Sequence, residues 1–303
     1  MTRSLVTGSA GFIGSHLCER LLREGHEVLG VDNFITGKPE NIIKGVRFVE
    51  GDINDFTLMK RLTNGVDFVF HQAALGSVPR SFKFPQDTNR ANVSGFLSVL
   101  EASLSANVRS FVYASSSSVY GDSKISPKKE GEEGALLSPY AISKRADELY
   151  ASVLGERVET SIIGLRYFNV FGSRQDPEGP YAAVIPKWIK SIRQGETCVI
   201  NGDGNISRDF CFISNVVDAN LLAAKSSVDK PEVLNIACGA STTLFELFEM
   251  IASALGKNGL KPELGPPREG DIQFSLADIS KARSVIGYNP SVDVAEGIKL
   301  TCG

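Results

Sequence analysis

Three glycines spaced three residues apart stand between a short apolar run and a helical pattern near the beginning of the chain. Gly8, Gly11 and Gly14 follow the run that ends at Thr7, and apolar residues recur at helical spacing over Phe12–Arg23. Glycine permits a tight turn and a close approach of the backbone to a pyrophosphate, and free N–H groups at a helix start attract phosphates. The segment therefore predicts a strand, a turn and a helix that together hold a dinucleotide.

The first half of the chain repeats this alternation of short apolar runs and amphipathic segments. Such an alternation is typical of parallel strands that crossover helices bury on both faces. We therefore expect an α/β fold with a doubly wound parallel sheet of the Rossmann type, whose ligands bind beyond the carboxyl ends of the strands. The runs are Leu5–Thr7, Val28–Val31, Val46–Val49, Val66–Phe70, Ser110–Tyr113 and Ser161–Leu165.

After about Gly172 the rhythm changes, because stretches rich in glycine and proline separate shorter helices and strands. A chain of 303 residues is long enough for a large nucleotide-binding core and a smaller lobe. We expect residues 1–172 to form the NAD-binding domain. Residues 173–303 are expected to form mainly a smaller substrate-binding lobe, with some segments crossing back to the sheet.

Composition argues against several other classes of protein. The formal net charge of −3 disfavours a nucleic-acid-binding surface. Five scattered cysteines without a CxxC pair predict neither a disulfide framework nor a metal site. The N-terminus lacks the apolar core of a signal peptide and no apolar run is long enough to span a bilayer, so we expect a cytoplasmic protein that does not contact membranes.

An acid at the end of the second strand indicates which cofactor binds. Asp32 can accept hydrogen bonds from both hydroxyls of the adenosine ribose and would repel a 2′-phosphate, which favours NAD over NADP. Asn33 and Gly37, in the same loop, complete this side of the predicted cofactor site. Asp52 and Ile53 follow the third strand and are placed to meet the adenine ring, although an ordinary turn is an alternative interpretation of that pair.

Tyr140 and Lys144 are the candidate catalytic pair. Pro139 is suited to the first turn of a helix, and residues four apart lie on one helix face, so the two side chains point the same way. A tyrosine with an ordinary pKa of about 10 is a poor base at neutral pH, but a nearby ammonium and a positive nicotinamide ring favour the phenolate. Ser116, in the serine run that ends the preceding strand, can steady the proton at a reacting alcohol.

These motifs resemble those of the extended short-chain dehydrogenase/reductase family over essentially the whole chain. The resemblance implies an NAD-dependent oxidation catalysed by Tyr140, Lys144 and Ser116. The segment His71–Ala74 is similar to the family's loop under the nicotinamide ribose, and Asn92 stands where the family has a structural asparagine. The implied cofactor-binding residues are Gly8, Gly11, Phe12, Ile13, Gly14, Asp32, Asn33, Gly37, Asp52, Ile53, Gln72, Ala73, Ala74, Asn92, Tyr140, Lys144 and Tyr167.

Two positions of the serine run separate related chemistries within this family. Ser117 and Ser118 stand where sugar-nucleotide 4,6-dehydratases carry an Asp-Glu pair and where UDP-glucuronate decarboxylases carry a glutamate. The resemblance therefore disfavours elimination and decarboxylation. The reaction that is left is oxidation followed by re-reduction at one carbon, which amounts to epimerisation. Tyr140 would remove the proton of the sugar 4-hydroxyl, and a 4-keto sugar would turn about its diphosphate while UDP and NAD stay bound.

The resemblance is fullest to the UDP-sugar 4-epimerases, in particular to those of UDP-N-acetylglucosamine. Ser275 stands where epimerases restricted to UDP-glucose can carry a tyrosine, and its small side chain would leave room for a 2-acetamido group. Arginines such as Arg208 and Arg268 suit a fork-like grip on phosphate, although a single arginine is often only a surface ion-pair partner. The implied substrate-binding residues are Gly76, Ser77, Ser117, Ser118, Asn169, Ala183, Val184, Lys187, Val199, Asn201, Arg208, Arg268, Asp271 and Ser275.

Other interpretations stay open at this point. The substrate could be UDP-glucuronate, or plain UDP-glucose and UDP-galactose. The enzyme could instead be a net sugar-nucleotide reductase or dehydrogenase, and a non-catalytic NAD-binding protein is a more distant alternative. The resemblance also implies a homodimer formed by the helices after Asn92 and after Pro139. The chain ends at Gly303 without the aromatic end that relatives usually carry, which favours a truncated C-terminus.

Overall fold

Strands and helices alternate through the first half of the chain. The structure is a computed structural model that describes residues 1–178, 182–266 and 274–303. The strands are β1 (Arg3–Thr7), β2 (Glu27–Asp32), β3 (Arg47–Glu50), β4 (Phe68–His71), β5 (Ser110–Ser116), β6 (Ser161–Tyr167), β7 (Val170–Phe171), β8 (Val199–Asn201), β9 (Ser207–Arg208), β10 (Cys211–Phe212), β11 (Glu232–Ile236), β12 (Thr242–Thr243), β13 (Glu263–Gly265) and β14 (Phe274–Ser275). The helices are α1 (Phe12–Arg23), α2 (Phe56–Thr63), α3 (Val78–Lys83), α4 (Pro85–Asn89), α5 (Gly95–Ser105), α6 (Pro139–Gly155), α7 (Val184–Gln194), α8 (Ile213–Lys225), α9 (Leu244–Ala254), α10 (Ser280–Ile286) and α11 (Val294–Cys302). Short 3-10 segments lie at Pro39–Asn41 and Ser117–Tyr120, and a π-helical segment lies at Arg90–Ser94.

A seven-stranded parallel sheet forms the centre of the molecule. Its strand order is β11-β6-β5-β4-β1-β2-β3. The chain first builds outward from β1 to β3 and then from β4 to β6 on the other side, so the order reverses between β1 and β4. Loops diverge at such a reversal, and ligands of this architecture bind in the cleft that results. The predicted doubly wound parallel sheet is confirmed.

The two faces of the sheet are buried separately. Leu5 and Val6 are neighbours in β1 and both are fully buried, yet they belong to different apolar clusters. Successive side chains of a strand point to opposite faces, so a continuous apolar run needs helices on both sides. Leu17 of α1 packs in the cluster of Val6, and Phe96 of α5 packs in that of Leu5. Each buried side chain of this size contributes roughly 1.5–3 kcal/mol.

Small sheets shape the later part of the chain. β9 pairs with β12 in the antiparallel direction and with β14 in the parallel direction, while β8 pairs with β13 and β7 with β10. β11 returns to the central sheet beside β6, and Trp188 of α7 meets Phe248 of α9 edge to face with ring centroids 5.9 Å apart. None of the helices within the described ranges is long and apolar enough to cross a membrane.

Candidate active site

A cavity of about 1130 Å³ opens at the carboxyl ends of the strands where the sheet order reverses. Sites for one small ligand usually measure about 300–1,000 Å³, so this cavity is larger than is usual for a single small ligand. The predicted site residues on its wall are Gly8, Gly11, Phe12, Ile13, Gly14, Asp32, Asn33, Asp52, Ile53, Gln72, Ala73, Ala74, Gly76, Ser116, Ser117, Ser118, Tyr140, Lys144, Tyr167, Asn169, Arg208 and Ser275.

The glycine loop between β1 and α1 leaves no space for side chains. Gly8 has φ of +68°, and a Cβ there would lie 2.8 Å from the backbone nitrogen of Ala73. A Cβ on Gly14 would lie 2.1 Å from the carbonyl oxygen of Gly8. No side chain caps α1 at Gly11, so the N–H groups of its first turn are available to phosphate. The loop fits the pyrophosphate of NAD.

Asp32 is held rigidly at the end of β2. Its Oδ2 accepts the N–H of Ala10 at 3.0 Å and its Oδ1 accepts the N–H of Phe34 at 2.8 Å. Gly37 packs so tightly on this carboxylate that a Cβ would lie 2.5 Å from Oδ1. Gly37 thus supports Asp32 from behind and does not line the cavity. Asp32 lines the cavity, and its role in accepting the hydroxyls of the adenosine ribose stays a prediction.

Asp52 lines the cavity, as Asp32 does. Its Oδ1 accepts the backbone N–H of Asn54 and a side-chain N–H of the same residue, both at 2.8 Å. Burial alone would raise the pKa of Asp52, but the bonds from Asn54, the charge of Arg90 and a bond from Asn33 lower it overall. Ile53 also lines the cavity and is buried.

A closed ring of three side chains holds the loop after β4. The hydroxyl of Tyr167 donates to Oε1 of Gln72 at 3.1 Å, Nε2 of Gln72 donates to Oδ1 of Asn220 at 3.0 Å, and Nδ2 of Asn220 donates to the Tyr167 oxygen at 2.8 Å. Burial raises the pKa of Tyr167, which keeps it protonated as a donor. Gln72 is thereby fixed against the cavity.

His71 and Asn92 support this loop from below. The Nδ1 of His71 lies 2.9 Å from Oγ1 of Thr7, and burial followed by the charge of Lys144 lowers the pKa of His71 to about 3, so the ring is neutral. Asn92 accepts the N–H of Leu75 at 2.8 Å and donates to Oγ of Ser143 at 2.9 Å. Asn92 is fully buried and off the cavity wall, so its role is to position the loop rather than to touch the cofactor.

The predicted catalytic residues all line the cavity. Tyr140 lies half-buried in the first turn of α6, and Lys144, one turn later, is 2% exposed. The Nζ of Lys144 donates to the carbonyl of Ala114 at 2.9 Å and to Oδ2 of Asp147 at 3.2 Å. Ser116 ends β5 and its Oγ accepts the N–H of Ser118 at 3.1 Å, which leaves its own O–H to face the cavity.

Asn169, Arg208 and Ser275 form the opposite wall. Asn169 takes a positive φ of +35°, and its Nδ2 donates to the carbonyl of Asp209 at 2.9 Å. Arg208 of β9 and Ser275 of β14 are paired across parallel strands, and both line the cavity. A fork-shaped cation beside an amide suits a diphosphate.

A buried acid holds this wall in place. The carboxylate of Asp209 accepts N–H groups of Cys238 at 2.9 Å, Gly239 at 3.0 Å and Ala277 at 3.3 Å. Burial raises the pKa of Asp209 to about 6, although the hydrogen bonds from these N–H groups lower it. Asp209 thus ties the segment that carries Arg208 to the loops on either side of it.

Several predicted substrate residues lie away from the cavity wall. Ser77 caps α3 by accepting the N–H of Arg80, and the first turn of α7 and strand β8 do not reach the wall within the described residues. Lys187 is exposed and Val199 is 45% exposed. Arg268 and Asp271 lie outside the described residues. The predicted substrate residues of these two elements are Ala183, which caps α7, Val184 and Lys187 of α7, and Val199 and Asn201 of β8.

The structure also adds residues that the motifs did not indicate. Asn220 reaches the cofactor loop from α8, and no local pattern signals such a long-range contact. Arg80 and Lys128 line the cavity as additional cations. Asp147 meets Lys144, and the spacing of three residues on one helix is the signal that could have found it. No group of three or more potential metal ligands occurs in the described part of the chain.

A pyrophosphate loop, a buried acid after the second strand and a Tyr–Lys pair facing the same cavity define a dinucleotide-dependent enzyme on a Rossmann fold. Residues 4–237 match the model of the NAD dependent epimerase/dehydratase family. The chain belongs to this family, and the expected enzyme class and NAD cofactor are confirmed.

Relatives of known name cover nearly the whole chain. A putative UDP-glucose 4-epimerase of Methanocaldococcus jannaschii is 38% identical over 297 residues, which are 97% of this chain and 95% of that protein. The UDP-glucose 4-epimerase of Thermotoga maritima, solved with UDP-glucose, superposes with a TM-score of 0.94 at 37% identity, covering 99% of this chain and 97% of the other. A UDP-N-acetylglucosamine 4-epimerase of Methanobrevibacter ruminantium M1, solved with UDP-N-acetylmuramic acid, has a TM-score of 0.94 at 39% identity and the same coverage.

Proposed function

We propose that this enzyme reversibly inverts C4 of a UDP-hexose through a 4-keto intermediate while NAD stays bound. The observation that carries the proposal is that Tyr140, Lys144 and Ser116 all line one cavity, together with Ser117 and Ser118. Neither serine offers a carboxylate for elimination or decarboxylation. The similarity to 4-epimerases of UDP-glucose and UDP-N-acetylglucosamine supports the same reaction.

The protein's own residues handle the proton and the substrate. NAD, when bound, supplies the two-electron oxidation and the later reduction at the reacting carbon. Tyr140 as phenolate takes the proton of the 4-hydroxyl, and the ammonium of Lys144 stabilises that anion. Ser116 donates its O–H to the oxygen at C4. Tyr140 returns the proton after the keto sugar has turned about its diphosphate.

The opposite wall would hold the nucleotide end of the substrate. Arg208 and Asn169 line the cavity, and Asn169 donates to the carbonyl of the buried Asp209, the residue after Arg208. We expect both side chains to contact the diphosphate. An anchored UDP lets the sugar rotate without escaping, which is what inversion at one carbon requires. Gly76, Ser117 and Ser118 also line the cavity. We expect them to contact the sugar.

Among the sugars, we favour UDP-N-acetylglucosamine and UDP-N-acetylgalactosamine, with UDP-glucose and UDP-galactose as further substrates. Ser275 lines the cavity beside Arg208 and is only partly buried. Its small side chain leaves space for a 2-acetamido group, which a larger residue would occupy.

A second copy of the chain is the expected partner. Ile142, Leu149 and Val153 lie on one face of α6 and are 55%, 54% and 69% exposed. Apolar residues at this spacing usually cover another helix. We propose that α5 and α6 of two subunits pack together in a homodimer.

The direct test incubates the purified enzyme separately with UDP-N-acetylglucosamine, UDP-glucose and UDP-glucuronate, and measures each 4-epimer by chromatography. We expect turnover without added NADH and the highest kcat/KM for the acetamido sugar. Tyr140→Phe should lower kcat by about 10³-fold, the usual size of a general-base contribution. Tyr150→Phe, an exposed change on the same helix, is the matched control and should keep full activity. Full activity of Tyr140→Phe would disprove the mechanism.

A further inference from the structure

We propose that Asp147 is a positioning residue that holds the ammonium of Lys144 against β5 and, through its negative charge, sets how readily Tyr140 gives up its proton. The inference rests on the proposed function, because it assigns Tyr140 the role of base. It concerns a side chain that does not touch the cavity.

The geometry ties Asp147 to the catalytic pair through Lys144. Oδ2 of Asp147 lies 3.2 Å from Nζ of Lys144, and the two side chains are 0% and 2% exposed. Nζ also donates to the carbonyl of Ala114, two residues before Ser116. Oδ1 of Asp147 is buried without a hydrogen-bond partner within the described residues. The ammonium is therefore anchored between Asp147 and Ala114, in a buried environment where charges interact strongly.

The other titratable groups described around this pair do not change the charge near Lys144, which leaves Asp147 to do so. His71 on β4 is neutral, because burial lowers its pKa to about 3. Tyr113 on β5 is protonated, because burial raises its pKa and the charges of Glu148 and Asp147 raise it further. Glu148, the next residue of α6, is neutralised by Arg166 from β6 and by Arg145.

Asp147 itself is poised between its two protonation states. Burial raises its pKa to about 7, while the charge and hydrogen bond of Lys144 lower it and Glu148 raises it. An ionised Asp147 compensates the ammonium and leaves Tyr140 more basic. A protonated Asp147 leaves the positive charge of Lys144 uncompensated, which favours the phenolate.

The experiment compares Asp147→Asn with wild type in the NAD-bound enzyme. The amide still accepts a hydrogen bond from Lys144 but carries no charge. We expect the acid limb of the kcat–pH profile to move to lower pH by about 1 unit, the usual effect of removing one like charge from such a site. Asp147→Glu restores the charge and should return the limb toward wild type. Glu156→Gln, an exposed change near the end of the same helix, is the control and should have the wild-type profile.

A second measurement follows tyrosinate absorbance and needs no turnover. The difference between each enzyme and its Tyr140→Phe counterpart isolates Tyr140, and its midpoint should fall by about 1 unit in Asp147→Asn. Asp147→Ser, a second uncharged replacement, should move the midpoint in the same direction. This second variant keeps the inference testable if Asp147→Asn does not fold.

The outcomes separate the two proposals. If no UDP-sugar is turned over but the tyrosinate midpoint moves, the proposed function fails and the role of Asp147 stands. If the enzyme epimerises while a folded Asp147→Asn keeps the wild-type midpoint and acid limb, Asp147 is merely structural and the inference is overturned. An unchanged midpoint in a folded Asp147→Ser would overturn it as well.

Discussion

Arg166 and Glu148 are joined by two hydrogen bonds behind the strand that carries the serine run. Nε of Arg166 donates to Oε1 of Glu148 at 2.8 Å, and Nη2 donates to Oε2 at 2.9 Å. Both side chains are almost fully buried. The same carboxylate accepts the hydroxyl of Ser115 at 2.6 Å, and Ser115 precedes Ser116. This ion pair therefore fixes the end of β5 where the predicted catalytic serine stands.

Glu148→Gln should lower the free energy of unfolding by about 3 kcal/mol, because it leaves the buried guanidinium of Arg166 without its main counter-charge. Urea unfolding followed by circular dichroism measures the change. Glu101→Gln, an exposed change on α5, is the matched control. A loss under about 1 kcal/mol would show that Glu133, 2.5 Å from Arg166, is enough to neutralise it.

Gly8→Ala should abolish measurable NAD binding or weaken it by at least about 10-fold, because the new Cβ would lie 2.8 Å from the Ala73 nitrogen and push the cofactor loop away. Isothermal titration with NAD measures this. Gly25→Ala is a close control, since Gly25 has a similar φ of +80° with no atom within 4 Å of the Cβ position. It should cost about 1–2 kcal/mol of stability from backbone strain and leave NAD affinity unchanged. Equal NAD affinities of the two variants would contradict the steric argument.

His71 should make the fold sensitive to acid. Its folded pKa of about 3 lies below the value of about 6.5 expected for an unfolded chain, so below pH ~6.5 the unfolded state binds a proton that the folded state does not. Stability is then lost as pH falls from about 6.5 toward 3, by about 2 kcal/mol at pH ~5. Urea unfolding at neutral and acid pH should show a smaller loss for His71→Asn than for wild type. His26→Asn, at a less buried site, should keep most of the wild-type dependence, and identical slopes for all three proteins would refute the assignment.

Ser275→Tyr should discriminate between sugars. The phenol ring would fill the space proposed for the 2-acetamido group and lower kcat/KM for UDP-N-acetylglucosamine by about 100-fold, with a smaller effect on UDP-glucose. Competition assays with both sugars measure the ratio, and Ser284→Tyr on the exposed face of α10 serves as control. A parallel loss for both sugars would place Ser275 elsewhere than beside C2.

Local patterns were enough to predict the nucleotide-binding half of the fold. The helical spacing over Phe12–Arg23 matches α1 residue for residue, and the apolar run at Val28–Val31 lies within β2. A parallel strand buried on both faces is apolar throughout, and a glycine turn before a helix has few alternatives. The apolar run Val66–Phe70 matches the bounds of its strand less exactly, since β4 begins at Phe68 and extends to His71.

The substrate wall was harder to predict from single residues. Arg208 and Ser275 are 67 positions apart in the sequence, and they meet because β9 and β14 pair. The family resemblance implies that Lys187 and Val199 bind substrate, yet their side chains are exposed and away from the cavity. A motif records residue types and not the rotation of the helix or strand that carries them.

The glycine loop, Asp32 and the Tyr140/Lys144 pair were determined by the sequence alone, because each depends on spacings of a few residues within one turn or one helix. The ring of Gln72, Tyr167 and Asn220 and the buried Asp209 were decided only by the tertiary structure. Their hydrogen bonds join segments far apart in the chain, and their strength depends on burial that packing creates. Lys144 belongs to both cases. Its distance from Tyr140 follows from helical geometry, whereas the burial of its ion pair with Asp147 depends on the folded core.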